Sequence, residues 1–589
     1  MDRVLDDSGS RREAAVAWLG ALEQMLAQRN FGGIDQLVHP DGYWRDLLTF
    51  GWTFWNAHRP DAIAQRLASG FERNPATQFR VEGEPFLGAL GEHPRTLEFF
   101  FTFDTPVANG RGFARLVPDA TDAGTLKSLT ALTSMRELKA YPESIGRQRQ
   151  RHGADAPATA SDTFDSVRDD PEVVVIGGGQ SGLMAAARLQ QLGVRTLVVD
   201  RSARLGDVWR GRYNGLTLHN ELCMNHFPYM PFPDNWPAYI PKDQIADWLE
   251  VYATCMGLHV ALETEFLGGE YDDQTGRWTV RLRQPDGSVR ELKPSHLVMA
   301  LGVSGLPNLP EIAGLEQFRG PVFHSSGETD SLDVRGRAVL VVGVGTSAHD
   351  IAQSMHGRGA WVTMLQRSPI TVVSLEPSSV RPYELYRRSE GVRPISDTDL
   401  MAAAVPYSFM RRLQDTMSRQ MTEEDRPLLD GLRRAGFLLD NDYDHRGYFI
   451  KLLESQSGYY LNVGASDLII EGKIKLKTGT GIARVTEDGV IFEDGSAFRV
   501  DVIVLATGYR PLEDAVRALL GDDVAERVGP IWGIGENHEL RAMYERTGQP
   551  GFYAIGGGFM GARVYSIYTA MLIKAEITGL IERKRLAAA

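Results

Sequence analysis

Cysteine is almost absent: Cys223 and Cys255 are the only two in 589 residues, so at most one bridge could form. That excludes a small disulfide scaffold and favours a reducing compartment, with a cytoplasmic location as the expectation. Long apolar runs are missing as well. The best stretch, Tyr565–Ile581, carries Lys574 and Glu576, and its spacing predicts an amphipathic helix, not a membrane span. The opening MDRVLDDSGSRREAAVAWLG has no apolar core behind a basic region, which speaks against a signal peptide. Positive charge is in deficit, with 63 Lys+Arg against 76 Asp+Glu and a net charge of −13. A basic footprint for nucleic acid is therefore not expected. Ser-His-Asp, HExxH, CxxC and paired metal-ligand signatures are also lacking, so side chains alone do not announce a chemistry.

What is present is an ordinary globular composition, 43% apolar and 24% charged. At roughly 150 residues per domain, the length predicts three to four domains. Glycine is in excess, 61 residues or one in ten, where about 7% is usual. A stretch at Gly153–Asp170 is rich in Ala, Ser, Thr and Asp and reads as a linker. Before it, residues 1–152 open with a helical pattern (Ala14, Trp18, Leu22, Met25, Leu26) and a short second one at Ile34–Val38. Strand-like runs follow at Thr96–Asp104, Arg111–Val117 and Thr125–Leu138. Helix first and sheet later predict an α+β unit with its own core.

After the linker the chain reads strand, glycine turn, helix, strand, twice over. The first instance is Glu172-Val-Val-Val-Ile-Gly177-Gly-Gly179-Gln180-Ser181-Gly182, then a helix over Leu183–Leu192 and a strand over Thr196–Val199. Asp200 closes that strand, with Arg201 after it. Here Gly177 permits the tight turn, Gly179 lets backbone approach a pyrophosphate, and Gly182 lets helix pack on strand. The helix N-terminus supplies N–H groups to phosphate, and Asp200 suits ribose hydroxyls. The second instance is Ala338-Val-Leu-Val-Val-Gly343-Val-Gly345-Thr346-Ser347-Ala348, a helix to Met355 and a strand over Ala360–Leu365. That strand ends in Gln366-Arg367-Ser368 with no acid. A carboxylate would repel a 2′-phosphate where Arg367 would pair with it, so this site reads as NADPH-binding. Two such sites in one chain predict FAD in the first and the nicotinamide donor in the second, because an ADP-ribosyl group cannot itself accept a hydride.

From Pro171 to Ile581 the residues resemble the class B flavin-dependent monooxygenases. Besides both glycine turns, the resemblance rests on Gly206-Asp-Val-Trp209 with Arg212-Tyr213, on Phe318-Arg-Gly320-Pro-Val-Phe-His324-Ser325, and on Leu505-Ala-Thr507-Gly508-Tyr509. Glu328 departs from it, standing where the family usually has an aromatic residue. The run Leu216-Thr-Leu-His219-Asn220 with Met230-Pro-Phe-Pro233 is closer to the plant indole-3-pyruvate monooxygenases.

The resemblance implies an α/β protein with two Rossmann-like domains. These are an FAD domain in two parts (171–330 and 501–589) and an NADPH domain (331–500) inserted between them, with a helical insertion at about 370–450. It implies that NADPH reduces FAD, that a C4a-(hydro)peroxyflavin forms with O2, and that one oxygen passes to a small organic substrate. The outcome is N- or S-oxygenation, Baeyer–Villiger insertion or oxidative decarboxylation of a 2-oxo acid. The alternative is an NADPH oxidase or flavin reductase that releases H2O2.

His219, Asn220, His324 and Arg563 are the candidates for direct chemistry. Arg563 follows Gly556-Gly-Gly558, a run expected against the flavin ring. The cofactor-binding candidates are Gly177, Gly179, Gln180, Ser181, Gly182, Asp200, Arg201, Trp209, Gly343, Gly345, Thr346, Ser347, Arg367, Thr507 and Gly508. The N-terminal unit is similar to SnoaL-type cones on the strength of His39-Pro-Asp-Gly-Tyr-Trp44-Arg45-Asp46. Such cones serve as enzymes, inert scaffolds or dimer contacts, and a homodimer stays open on this reading.

Overall fold

The computed structural model describes residues 7–119, 125–149, 170–302, 305–327, 331–441 and 445–583. Most of the expected linker, residues 153–169, and Glu328 lie outside the described residues.

The N-terminal unit is α+β, as its pattern predicts. Its first helix, Ser8–Ala27, starts at Asp7, whose carboxylate accepts the Ser10 N–H at 2.8 Å. Ala15, Trp18, Leu22, Met25 and Leu26 form one buried stripe at helical spacing. That stripe packs on a six-stranded sheet ordered Phe54–His58, Val38–Leu47, Leu126–Leu138, Ala108–Pro118, His93–Asp104, Thr77–Leu90. Only the pairing of Val38–Leu47 with Leu126–Leu138 is parallel.

The expectation of a separate core fails. One sheet face closes over Trp18, Trp44, Phe99 and Phe101. The other face, with Leu47, Phe54, Phe113, Leu132 and Met135, joins one continuous core with Ala403, Tyr544, Ile567 and Tyr568 from the rest of the chain. Each large apolar side chain buried there contributes about 1.5–3 kcal/mol, so the two parts are held as one body.

The two glycine-turn units form two five-stranded parallel sheets. The first runs Phe552–Ala554, His296–Met299, Val173–Ile176, Thr196–Val199, Val260–Ala261; the second runs Val322–His324, Val502–Leu505, Ala338–Val342, Trp361–Gln366, Lys475–Thr478. All pairings in both are parallel, and Val173–Ile176 in the first and Val502–Leu505 in the second are buried throughout, as both-sided packing requires.

The expected domain boundaries move. Val502–Leu505 still pairs with Ala338–Val342, so the chain returns to the first sheet at Phe552 and not at Asp501. Val322–His324 likewise belongs to the second sheet, although it lies within the 171–330 stretch expected in the first domain.

The expected insertion is helical: Ile395–Ala403, Tyr407–Glu424, Arg426–Arg434 and Gly447–Ser455. Thr371–Ser374 and Tyr459–Asn462 pair in parallel and close it off. It also grips the N-terminal unit. Asp397 accepts Arg111 Nη1 at 2.7 Å, the Met401 carbonyl accepts Arg115 Nη2 at 2.9 Å, and Phe409 lies against Tyr43 with ring centres 5.1 Å apart.

Candidate functional site

Both glycine turns have the geometry that phosphate binding needs. Gly177 has φ +107°, and a Cβ there would stand 2.6 Å from the Ala300 carbonyl oxygen, a position closed to any other residue. A Cβ on Gly182 would stand 2.0 Å from the Gly177 carbonyl oxygen, so the helix sits directly on the turn. Gly179 differs from both: nothing lies within 4 Å of its would-be Cβ. It is the N-cap of Gln180–Gln191 and makes no side-chain cap. The first-turn N–H groups therefore face open space with the positive end of the helix dipole behind them.

Asp200 is held on this turn, its Oδ2 accepting the Gly178 N–H at 2.7 Å and its Oδ1 the Ser202 N–H at 2.8 Å. Each oxygen keeps a lone pair for a ribose hydroxyl. Ser181 is buried, Arg201 is exposed, and Gln180 Nε2 donates to the Gly557 carbonyl at 3.3 Å. Trp209 packs against Phe559, ring centres 5.9 Å apart, and its indole Nε1 is buried without an acceptor. An orphaned donor and an uncapped, open helix terminus together fit a dinucleotide such as FAD.

The second turn repeats the pattern. Gly343 has φ +121°, and its Cβ would lie 2.3 Å from the Ala506 carbonyl oxygen. Gly345 has nothing within 4 Å and caps Thr346–Gly357 without a side chain. It opens into a cavity of about 950 Å³ lined by Gly343–Ala348, Arg367, Thr507–Glu513, Ile531–Gly533 and Arg541, large enough for a dinucleotide. Thr346 and Ser347 form the first helical turn on that wall. Arg367 is exposed at its edge and carries no ion pair among the described residues, and Tyr509 Oη is buried on the wall without a partner. These features fit a nucleotide whose ribose bears a phosphate.

Trp532 joins the two turns. It lines the large cavity, and its ring lies 3.2 Å from where a Cβ on Gly557 would be. Gly557 has φ +96° and accepts Gln180 of the first turn. Next to it, Gly558 is the N-cap of the C-terminal helix Phe559–Ile577, again without a side-chain cap. Neither Trp532 nor this link was legible in the sequence, since no spacing rule connects residue 532 to residue 180.

His324 fastens the second sheet to the Thr507–Tyr509 turn. Its Nε2–H donates to the Gly508 carbonyl at 3.0 Å, and Nδ1 takes the Ser326 N–H at 3.1 Å and the Ser326 hydroxyl at 2.8 Å. Thr507 Oγ1 donates to the Asn308 carbonyl at 2.6 Å on the same joint. With both ring nitrogens engaged, and burial with nearby Arg212 holding the ring below its ordinary pKa, His324 is a neutral connector.

Arg563 has its charge matched inside the protein. It is buried, with Nε and Nη2 paired to the two Asp399 oxygens at 2.9 and 2.7 Å. Its Nη1 donates to the Met224 and His226 carbonyls at 2.7 and 2.8 Å. Its donors are spent on clamping insertion, C-terminal helix and the Leu222–Asn225 turn together, leaving no free cation for a substrate.

His219 keeps a place at the interface of the two units. Its Nε2 lies 3.7 Å from Asp350 Oδ2, and Tyr213 donates its hydroxyl to the same oxygen. Asp350 stands on Thr346–Gly357, behind the second turn. Burial pushes its carboxyl pKa up, against the pull of His219, Tyr213 and Arg212. Asn220 follows on the same loop, its carbonyl accepting Asn225 Nδ2 at 3.0 Å. Asp350 had no sequence signal, because an acid within a helix reads as solvated surface. Among the described residues no group of three His, Cys, Asp or Glu is placed to hold a metal, and no helix is long and apolar enough to cross a membrane.

Residues 170–518 match the model of a flavin-binding monooxygenase-like family. Indole-3-pyruvate monooxygenase YUCCA1 of Oryza sativa subsp. japonica is 31% identical over 341 residues, covering 58% of this chain and 77% of the rice protein. YUCCA8 of Oryza sativa subsp. indica is 28% identical over 454 residues, covering 75% of this chain and 98% of its own. Among solved structures, an oxidized steroid monooxygenase bound to NADP has a TM-score of 0.53 at 20% identity, covering 70% of this chain and 85% of its own. An open cyclohexanone monooxygenase has 0.51 at 17%, covering 70% and 88%. These two show a shared fold.

Proposed function

The chain belongs to the flavin-binding monooxygenase-like family, and from that premise we propose that it is an FAD- and NADPH-dependent enzyme transferring one oxygen atom of O2 to a small organic substrate. The observation that carries this reading is the pair of open, uncapped glycine turns, Gly177–Gly182 and Gly343–Ala348, joined through Trp532, Gly557 and Gln180.

In this reading the N–H groups behind Gly179 and Gly345 hold the two pyrophosphates, Asp200 holds a ribose, and Arg367 pairs with the 2′-phosphate of NADPH. Bound flavin supplies the hydride acceptance and oxygen activation. The protein's part is to orient both nucleotides, keep water out and manage protons. His219 beside Asp350 is the group best placed to hold a proton at the interface of the two units. The N-terminal unit acts as a scaffold closing the far side of the insertion.

For the substrate, the YUCCA relatives favour a 2-oxo acid, with decarboxylation following oxygen transfer; the shared fold with ketone-oxidising enzymes keeps Baeyer–Villiger insertion beside it. The test is turnover of the FAD-loaded enzyme with NADPH under 18O2 across 2-oxo acids, ketones, amines and thioethers. One labelled oxygen in a product, matched to NADPH consumed, supports the proposal. Stoichiometric H2O2 with every class would make the protein an NADPH oxidase instead.

A further inference from the structure

A second cavity, about 290 Å³, lies where four parts of the chain meet. Arg136 comes from the N-terminal unit and Arg188 with Phe227–Pro228 from the first dinucleotide unit. Leu400 comes from the insertion and Ile567 from the C-terminal helix. Most of its wall is apolar. The charges on it do not cancel. Arg563 is matched by Asp399 at 2.7 Å, and Arg188 by Glu143 at 3.3 Å, with Tyr229 donating to the same Glu143 oxygen at 2.6 Å. Arg136 is half-buried and has no hydrogen bond or ion pair among the described residues. Arg188 adds a buried Nε with no acceptor. A half-buried guanidinium facing an apolar chamber calls for an anion, and a planar fork best fits a carboxylate.

We infer that this cavity binds a small apolar carboxylate and that Arg136 is its anion-binding residue. Arg563 lies five residues beyond the N-cap Gly558, about 7 Å along the helix, so the cavity adjoins the flavin-side glycines. That allows the carboxylate to be the oxygenation substrate or a regulator bound beside it. The substrate arm rests on the function proposed above; the binding itself does not. Arg136 lies outside residues 170–518, so the ligand would be recognised in part by a unit added to the flavoprotein.

The test titrates the FAD-loaded full chain with phenylacetate and with its neutral isostere phenylacetamide. The inference expects phenylacetate to bind at least ten-fold tighter than the amide. It expects Arg136→Gln to remove that preference at unaltered FAD content and melting temperature, and Arg136→Lys to restore part of it. Equal binding of acid and amide, or an Arg136→Gln variant that keeps the preference, overturns it. In turnover with phenylpyruvate, a KM at least ten-fold higher in Arg136→Gln assigns the cavity to substrate. An unaltered KM with loss of phenylacetate's effect on NADPH oxidation assigns it to a regulator. If oxygen transfer is never detected, the binding comparison still decides the carboxylate site.

Discussion

Arg45 and Glu539 stand 494 positions apart and form one buried, two-pronged ion pair, Nε to Oε1 at 2.7 Å and Nη2 to Oε2 at 2.5 Å. Arg45 also donates to Tyr565 and to the Ala403 carbonyl, and Asn56 adds a bond to Glu539 at 3.2 Å. The N-terminal sheet is thus fixed to the loop whose residues Trp532, Gly533 and Arg541 wall the large cavity. Removing one partner strands a charge in a dry interface, at a cost of about 3–5 kcal/mol. Glu539→Ala is therefore expected to lower the melting temperature sharply and to weaken NADP+ binding, measured by calorimetry and titration. An unaltered melting temperature would mean the two parts are not coupled through this pair.

Arg367 stands alone at the cavity edge, so its loss should touch one ligand feature only. Hydrogen bonds to charged groups contribute about 1.5–3 kcal/mol, or roughly ten- to hundred-fold in affinity. Arg367→Ala is expected to raise KM for NADPH by that factor and leave NADH unaffected. Steady-state kinetics with both donors checks it, and an unmoved NADPH/NADH ratio would refute the assignment.

The glycines separate fold from ligand. Gly343→Ala puts a methyl 2.3 Å from the Ala506 carbonyl at φ +121°, and strain of about 1–3 kcal/mol plus the clash should destabilise the protein outright. Gly345→Ala, at φ −75° with open space around it, should fold normally and lose nucleotide affinity. Denaturant midpoints with NADP+ titrations of the two variants test this; equal loss of stability in both would remove the case for a phosphate cradle.

That contrast marks what a sequence makes legible. Val173–Ile176, Gln180–Gln191 and Thr196–Val199 follow from a β-branched run, three glycines at fixed spacing and a helical period, all local signals. Val38–Leu47 escapes the same reading because Pro40 and Gly42 interrupt it, and its register shifts between Val38 and Tyr43. Arg45 and Ser134 look solvent-facing in sequence yet are buried, because the second sheet face is covered by the flavoprotein and not by water, while Asp46 and Thr133 are buried on the opposite face beside Trp44. Ser134, for example, meets Tyr568 at 2.8 Å. Asp399, Asp350 and Glu539 are illegible for one shared reason. Each acquires its role from a partner supplied by a distant segment, and spacing rules see only neighbours.

Protonation should act on two parts of the molecule in opposite directions. Asp46 is fully buried in the N-terminal sheet, accepting from Phe50 and Thr133, and burial pushes its carboxyl to about 7. Glu545, facing Phe54 across the interface, is pushed up to about 8 by burial and then by repulsion from Glu539, against the pull of the Phe54 N–H, Arg546 and Arg45. For both acids the folded pKa exceeds the unfolded one, so the folded state binds the extra protons. Their stabilisation is complete below about pH 4 and is lost as pH rises through 7 to 8.

His349 has the reverse sign. Its Nδ1–H donates to the Gly345 carbonyl at 3.1 Å, its ring stacks on Tyr460 at 3.7 Å, and burial lowers its pKa to about 4. Its contribution is complete above about 6.5 and lost as pH falls towards 4. Hydrogen exchange across pH 4.5–8.5 should therefore show the Val38–Leu47 strand opening more readily at high pH and the Thr346–Gly357 helix at low pH. Glu545→Gln should reduce the first trend to the share that Asp46 carries and leave the second untouched. Parallel trends in both segments would show that these buried groups do not govern the local stabilities.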